Sequence, residues 1–477
     1  MSLQTIREYV LALDFIVIIL SFLINDLLAV SQSQNLLLFI SVWNIIVFGV
    51  LLYHEFTKAD DFHPFMLMLL ASIQFVGFNG ISVYHAISAG EHITFGIYDI
   101  TNYLTKGALF VSLEHALLYL GFILADKYYT KSNTTILDSI NETEADYYKW
   151  GINSYLFVWG LRLVGMVIPL SAITSVLVNI ANQGQMLSLM FLLFAYYKTN
   201  DRRCLRIHWV IVAIEVLIVI TSGMKEVIIQ NLIPYIIYIF IQYKNGYGQI
   251  NFRFITQLAI MGGFVVYFVF PYVSIYRQIN WTEKRNASAS EVMSEYVSYM
   301  TGESRYSQKS DDRSVDYMME RAGSIEQNTF PIMYAEKYGT KPKYLYYTLI
   351  AFVPRILWPD KPQTRLGLMI HSLANGKSNW EQIHSGSGVA FSIGFIGACY
   401  FSLGLWYALL MPFIMGYVIT RFWQFYKERI GVSFVALWGV FAIVSVVNKD
   451  FEAFSDGGLA FCVWNTIYYL IIRFWRY

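Results

Sequence analysis

About a dozen separate stretches of this chain are apolar for long enough to cross a hydrocarbon layer, which fixes what it can fold into. They fall near 9–25, 35–53, 64–87, 107–125, 152–172, 184–197, 207–222, 226–243, 254–275, 390–420, 431–447 and 457–472. Inside lipid the backbone N–H and C=O groups must satisfy one another, so each stretch is expected to be helical. The expected fold is an all-α polytopic integral membrane protein with about 12 transmembrane helices (11–13). Asn182-Gln183-Gly184-Gln185 reads as a turn that shortens the sixth span. The stretch 390–420 is too long for one straight crossing, so part of it is expected in the interface. No small-residue cleavage site follows the first span, which reads as a retained helix.

Composition agrees. Of 477 residues, 56% are hydrophobic and 14% charged, against about 25% charged in soluble domains. That balance excludes an ordinary soluble enzyme and a disordered chain. The net charge of +1, with no basic footprint, gives no reason to expect nucleic acid as a partner. Between Tyr276 and Ser385 stand 14 basic and 12 acidic residues, a dense share of the whole. The expected organisation is a membrane domain of nine helices over 1–275, a large loop over 276–389 and further membrane helices over 390–477.

Lys and Arg accumulate on cytoplasmic loops. With the N-terminus inside, the inner loops carry 16 of them, from Arg7 to Arg476, and the short outer loops only Lys106, Lys225 and Lys449. Both termini are then cytoplasmic and the insertion extracytoplasmic. Cys204, Cys399 and Cys462 stand alone, which predicts neither a disulfide framework nor a thiolate metal site. The eight histidines are scattered, and no metal site is expected.

Arg162 and Glu215 are ionisable residues inside spans. Each lies roughly 13–17 Å in from the cytoplasmic side of its helix. An isolated charge there costs at least about 2.5–3.5 kcal/mol, so the two are expected to pair between neighbouring helices. Such a pair either fixes helix packing or lines the path of a phosphate-bearing lipid.

The insertion opens with Arg277 and continues through a polar stretch, 278–312. From Asp312 to about Lys337 the pattern turns helical, Lys341-Pro342-Lys343 breaks it, and Tyr344–Val353 forms a short interfacial helix. Then comes Val353-Pro354-Arg355-Ile356-Leu357-Trp358-Pro359-Asp360-Lys361-Pro362. Its prolines stiffen the backbone, which predicts a rigid bend holding Arg355 and Lys361 near the membrane surface. An arginine fork binds phosphate oxygens bidentately. Without a ligand, the same bend serves as a surface elbow touching headgroups.

This string, late in a large extracytoplasmic loop, resembles the Wzy-type O-antigen and capsule repeat-unit polymerases of bacteria. So do the glycine-rich entry Gly394-Phe395-Ile396-Gly397 and the turn Ser222-Gly223-Met224-Lys225, where relatives tend to carry arginine. The likeness covers roughly residues 205–420 in layout. It implies a GT-C-like glycosyltransferase of the bacterial cytoplasmic (inner) membrane, inverting, independent of metal and without a cofactor. Its substrate would be an undecaprenyl-diphosphate-linked oligosaccharide, extended at the outer face. A flippase and a chain-length regulator would be its partners.

Such a reaction needs cations at the diphosphate and a base near the acceptor hydroxyl. Arg277, Arg321 and Arg355 suit the first role, with Lys361 and Lys225 behind them. His384 suits the second, with Glu326 and His371 as substitutes. Asp26, opening the first outer loop, and the pairs Glu91-His92 and Glu114-His115, expected to face one vestibule, are further polar candidates. Two other readings stand beside polymerisation. An O-antigen ligase uses the same donor, and a glycolipid or solute transporter needs no donor at all.

Overall fold

Helices account for nearly all of the ordered architecture. The computed structural model describes residues 2–27, 30–59, 63–128, 146–167, 171–222, 270–282, 287–303, 325–351, 366–377 and 393–429, with a few isolated positions between them. Helix α1 spans Leu3–Leu27 and α2 spans Val30–Lys58. A third run holds α3 (Phe65–Ser72), a π-helical turn (Ile73–Phe78) and α4 (Asn79–Ser88). Helix α5 spans Leu104–Lys127. Among the described residues, five helices are long and apolar enough to cross a membrane: Leu3–Leu27, Ser33–Lys58, Phe65–Ser88, Thr101–Lys127 and Leu405–Phe425. The expected spans at 431–447 and 457–472, and most of 226–243 and 254–275, lie outside the described residues.

Three more long helices follow: α6 (Tyr147–Val167), α7 (Ser171–Thr199) and α8 (Arg202–Ser222). The turn expected at 182–185 does not form, because α7 runs straight through it. Turn propensity is a weak preference beside the cost of unpaired backbone groups in an apolar layer. Asp26 likewise belongs to the last turn of α1, exposed, rather than to a loop.

Helix α5 is the axis of the bundle, and its close neighbour is α15 (Leu405–Arg429). Small residues let the two backbones meet. A Cβ on Gly121 would run into the Phe413 carbonyl oxygen, and one on Gly416 into the Leu118 carbonyl oxygen. Helices in lipid associate through such small-residue contacts. Gly416→Ala should cost about 1–3 kcal/mol by overpacking. An unchanged unfolding midpoint in detergent micelles would contradict that.

Among the described residues the insertion is a set of short helices, and one of them falls in the stretch 278–312 that reads as polar. After α9 (Phe270–Arg277) and a π-helical turn (Gln278–Thr282) comes α10 (Ala289–Met300). Ser288 and Glu291 start α10 with a capping box, a signal present in the polar stretch. Helix α11 covers Ile325–Tyr338, and the earlier part of the helix expected from Asp312 lies outside the described residues. Helix α12 (Pro342–Ala351) begins on proline, whose fixed φ suits a first helical position. Helix α13 covers Leu366–Ala374. The long segment 390–420 divides into α14 (Phe395–Leu403) and α15, with Gly404 at φ +85° between them.

The insertion packs onto one end of the bundle through a second core. Phe330 and Met333 of α11, Tyr344 of α12 and Met369 and Ile370 of α13 are buried with Leu104 and Ala108 of α5 and Phe401 of α14. A two-residue hairpin, Thr94–Phe95 against Tyr98–Asp99, joins this core. At its tip Gly96 adopts φ +63°, and the Ile97 amide donates to the Ala374 carbonyl at 2.9 Å.

Candidate functional site

The glycine-rich entry is where the insertion docks on the bundle. The Gly397 amide donates to Asn328 Oδ1 at 2.8 Å, and the Gly394 amide donates to the Gln327 carbonyl at 3.3 Å. A side chain at either glycine would overlap Asn328, and at Gly397 also Pro331. From below, Glu114 Oε2 accepts the Ile396 amide at 3.1 Å, placing a carboxyl at the start of α14. Around this joint Lys106 Nζ lies 2.6 Å from Glu336, which also accepts from the Tyr400 hydroxyl at 3.1 Å. Lys337 covers the Tyr103 ring at 5.1 Å and Lys341 the Tyr334 ring at 5.6 Å. Burial raises the Tyr334 hydroxyl above its ordinary value, so that phenol stays protonated.

Of the residues proposed from sequence for catalysis and diphosphate binding, few fall in the described parts. Arg277 is the last residue of α9. Glu326 is half-buried in the first turn of α11, two residues before Asn328. His371 sits on α13, where burial and neighbouring Lys377 lower its imidazole below the ordinary value. Arg321, Arg355, Lys361, Lys225 and His384 lie outside the described residues. Glu91-His92 and Glu114-His115 do not share a vestibule. Glu91 and His92 are exposed, with His92 Nδ1 3.0 Å from Asp99, whereas Glu114 and His115 are fully buried on α5. Among the described residues, no three His, Cys, Asp or Glu side chains gather as metal ligands.

Arg162 and Glu215 do meet. Arg162 Nη1 and Nη2 donate to the two Glu215 oxygens at 2.8 and 3.0 Å, joining α6 to α8. Nη2 also donates to Gln185 Oε1 at 2.7 Å, which brings α7 into the same knot. The Tyr155 hydroxyl donates to Glu215 at 3.1 Å, and the guanidinium lies 5.5 Å from the Trp159 ring. Its hydrogen bonds go to protein, which favours the packing role over a lipid-phosphate ligand. Arg162→Met should destabilise by about 3–5 kcal/mol, because Glu215 stays buried and charged. Adding Glu215→Leu should return most of that, and unfolding in micelles of the single and double variants measures both.

A second charge cluster joins residues that the sequence pattern had scattered over loops. Glu55 accepts Arg7 Nε at 2.5 Å, Arg7 Nη2 at 2.7 Å and the Tyr119 hydroxyl, and His63 Nε2 lies 2.8 Å from it. Arg7 Nη1 reaches Asp126 at 2.8 Å. Phe122 stacks on His63 and lies 4.9 Å from the Arg7 guanidinium. Arg7 is therefore buried, not a loop cation. The cluster ties the ends of α1, α2 and α5 together.

No curated protein and no solved structure matches the chain. Residues 62–434, most of its length, match a domain of unknown function, DUF8712. That match takes in the charge pair of α6 and α8, the insertion and the glycine-rich entry, and the chain belongs to the DUF8712 family.

Proposed function

We propose that this protein polymerises undecaprenyl-diphosphate-linked oligosaccharide repeat units at the outer face of a bacterial cytoplasmic membrane. On this reading about 12 spans form a GT-C-like bundle, with both termini inside and the large loop outside. The donor's diphosphate is held by Arg277, Arg321, Arg355 and Lys361, with Lys225 at the membrane edge. The acceptor hydroxyl gives its proton to His384, or to Glu326 in its place, as it attacks the anomeric carbon. The C–O bond to the diphosphate breaks as the new glycosidic bond forms, and the carrier diphosphate leaves with the bonding electrons. Fixed guanidinium groups stabilise the charge that grows on that leaving group.

The observation that carries the reading is the proline-fenced string 353–362 in a charge-rich insertion that the positive-inside count puts outside. The docking of that insertion at Gly394 and Gly397 supports it, since a diphosphate clamp requires a rigid mount. Deleting the gene and resolving surface polysaccharide on a gel tests it. Loss of long chains, with single repeats still attached, is expected. Long chains made but left unattached would assign the protein to ligation. Lipid-linked repeats trapped in the cytoplasm would assign it to transport.

A further inference from the structure

Helix α10 carries more apolar surface than its packing uses. At 3.6 residues per turn its side chains divide into three arcs. Val292, Tyr296 and Tyr299 form the first, packed in one core with Tyr272 and Ile275 of α9 and Ile279 of the turn after it. The Tyr272 and Tyr296 rings meet edge to face, with centroids 5.6 Å apart. Met293, Val297 and Met300 form the second arc, about 100° round the helix from the first. They are 46%, 53% and 48% exposed. Ser290, Ser294 and Ser298, with Glu291 and Glu295, make up the third. The two apolar arcs adjoin, and the polar arc fills the remainder.

Where α10 lies follows from α9. Tyr272, Ile275 and Ile279 are spaced three and four apart, which puts them on one helix face. Phe268, four residues before Tyr272, belongs to the same face and is exposed. Ile260, further back in the expected span 254–275, is exposed as well. Large apolar side chains exposed on a span meet acyl chains, so α10 covers the last turns of a lipid-facing stripe. Helical rise over 254–275 comes to about 33 Å, the depth of a hydrocarbon layer, which puts α9 at its edge. Tyr272, Tyr276, Tyr296 and Tyr299 gather at this joint, and tyrosine favours headgroup level. The entry to α10 is fixed by the Ala287 amide, which donates to Asn280 Oδ1 at 2.6 Å, and by the Ser288–Glu291 capping box.

We infer that α10 lies in the headgroup–acyl boundary of the bilayer, beside α9. Met293, Val297 and Met300 face lipid, and Ser290, Ser294 and Glu291 face water. Amphipathic helices seat in this way with the apolar face about 5–10 Å deep. Cations on the polar face commonly add attraction to anionic headgroups. Helix α10 carries carboxylates and no cation, so burial of the stripe and packing on α9 hold it instead. A protein partner would need a larger surface. Three half-exposed side chains fall well short of the about 800 Å² that a stable interface buries on each partner. The segment after α9 is thereby tied to the membrane surface rather than carried free in water. The inference rests on the membrane reading of the chain and does not depend on glycan transfer.

The test uses the purified full chain in phosphatidylcholine nanodiscs, with the fluorophore NBD attached to one introduced cysteine at a time. Met293→Cys, Val297→Cys and Met300→Cys replace exposed side chains and keep the packing on α9. Ser294→Cys and Ser298→Cys sample the polar arc. The chain without a new cysteine, labelled in parallel, gives the background, and Cys204 and Cys399 are buried. Phosphatidylcholine carrying a doxyl group near the headgroup should quench the stripe labels about threefold more than the polar-arc labels, and aqueous iodide should do the reverse. Equal iodide quenching at every site would put the stripe in water and overturn the inference. Stripe labels shielded from iodide yet unquenched by doxyl lipid would show that protein, such as a second copy of the chain, covers them, and would overturn it too.

Discussion

Glu55→Ala should destabilise the fold by about 3–5 kcal/mol, as much as Arg162→Met. Its carboxylate is wholly buried and accepts from both Arg7 Nε and Nη2, from Tyr119 and from His63. Without it the Arg7 guanidinium keeps, among the described residues, only Asp126 as a charged partner, beside the Phe122 ring, while the Tyr119 hydroxyl is left buried without its acceptor. The penalty is that of orphaned groups, not the net strength of the ion pair. Replacing a buried pair by apolar residues of similar size is often neutral or better. Hence Arg7→Met combined with Glu55→Leu should recover more than half of the loss. Denaturant unfolding in micelles, run as a double-mutant cycle, separates the two. A loss below about 1 kcal/mol for Glu55→Ala would show that the cluster is open to water.

The largest effect on activity is expected at Arg355, on the proposed reading. Arg355→Lys keeps the positive charge but replaces a planar fork with a single ammonium, so bidentate contact with the diphosphate is lost. Stabilisation of a leaving group depends on donors fixed where charge develops, and losing one such donor costs about 10²–10³ in rate. The variant should reach the membrane at wild-type level and leave little long-chain polysaccharide on a gel. Wild-type chain lengths would remove Arg355 from the mechanism.

Much of the helical layout was legible because lipid narrows the choices. Where they fall in the described residues, apolar runs of sufficient length became helices, and the cost of a charge in lipid was enough to pair Arg162 with Glu215 from residues 53 positions apart. The break between α11 and α12 followed from proline's own geometry, although α12 begins on Pro342 rather than at Tyr344. What escaped were the features set by distant partners. Arg7 counted as a loop cation because its carboxylates lie 48 and 119 residues away. Glu114 looked like a vestibule acid, yet it meets the Ile396 amide, 282 residues on. The polar turn residues 182–185 were outvoted by the backbone's need for internal hydrogen bonds. A signal for the polar contacts between α2 and α5 was nonetheless present: Thr105, Ser112 and Tyr119 recur every seven positions on α5, and Ser33, Asn44 and Glu55 every eleven on α2, each set marking a single helix face.

The most direct test of glycan extension by this protein is turnover with its own substrate. Lipid-linked repeat units extracted from the deletion strain would be mixed with the purified protein in liposomes, and the glycan resolved by size. The account predicts a ladder of products rising in steps of one repeat unit, with the carrier diphosphate released in proportion. Repeat units that stay single with folded wild-type protein present would contradict it.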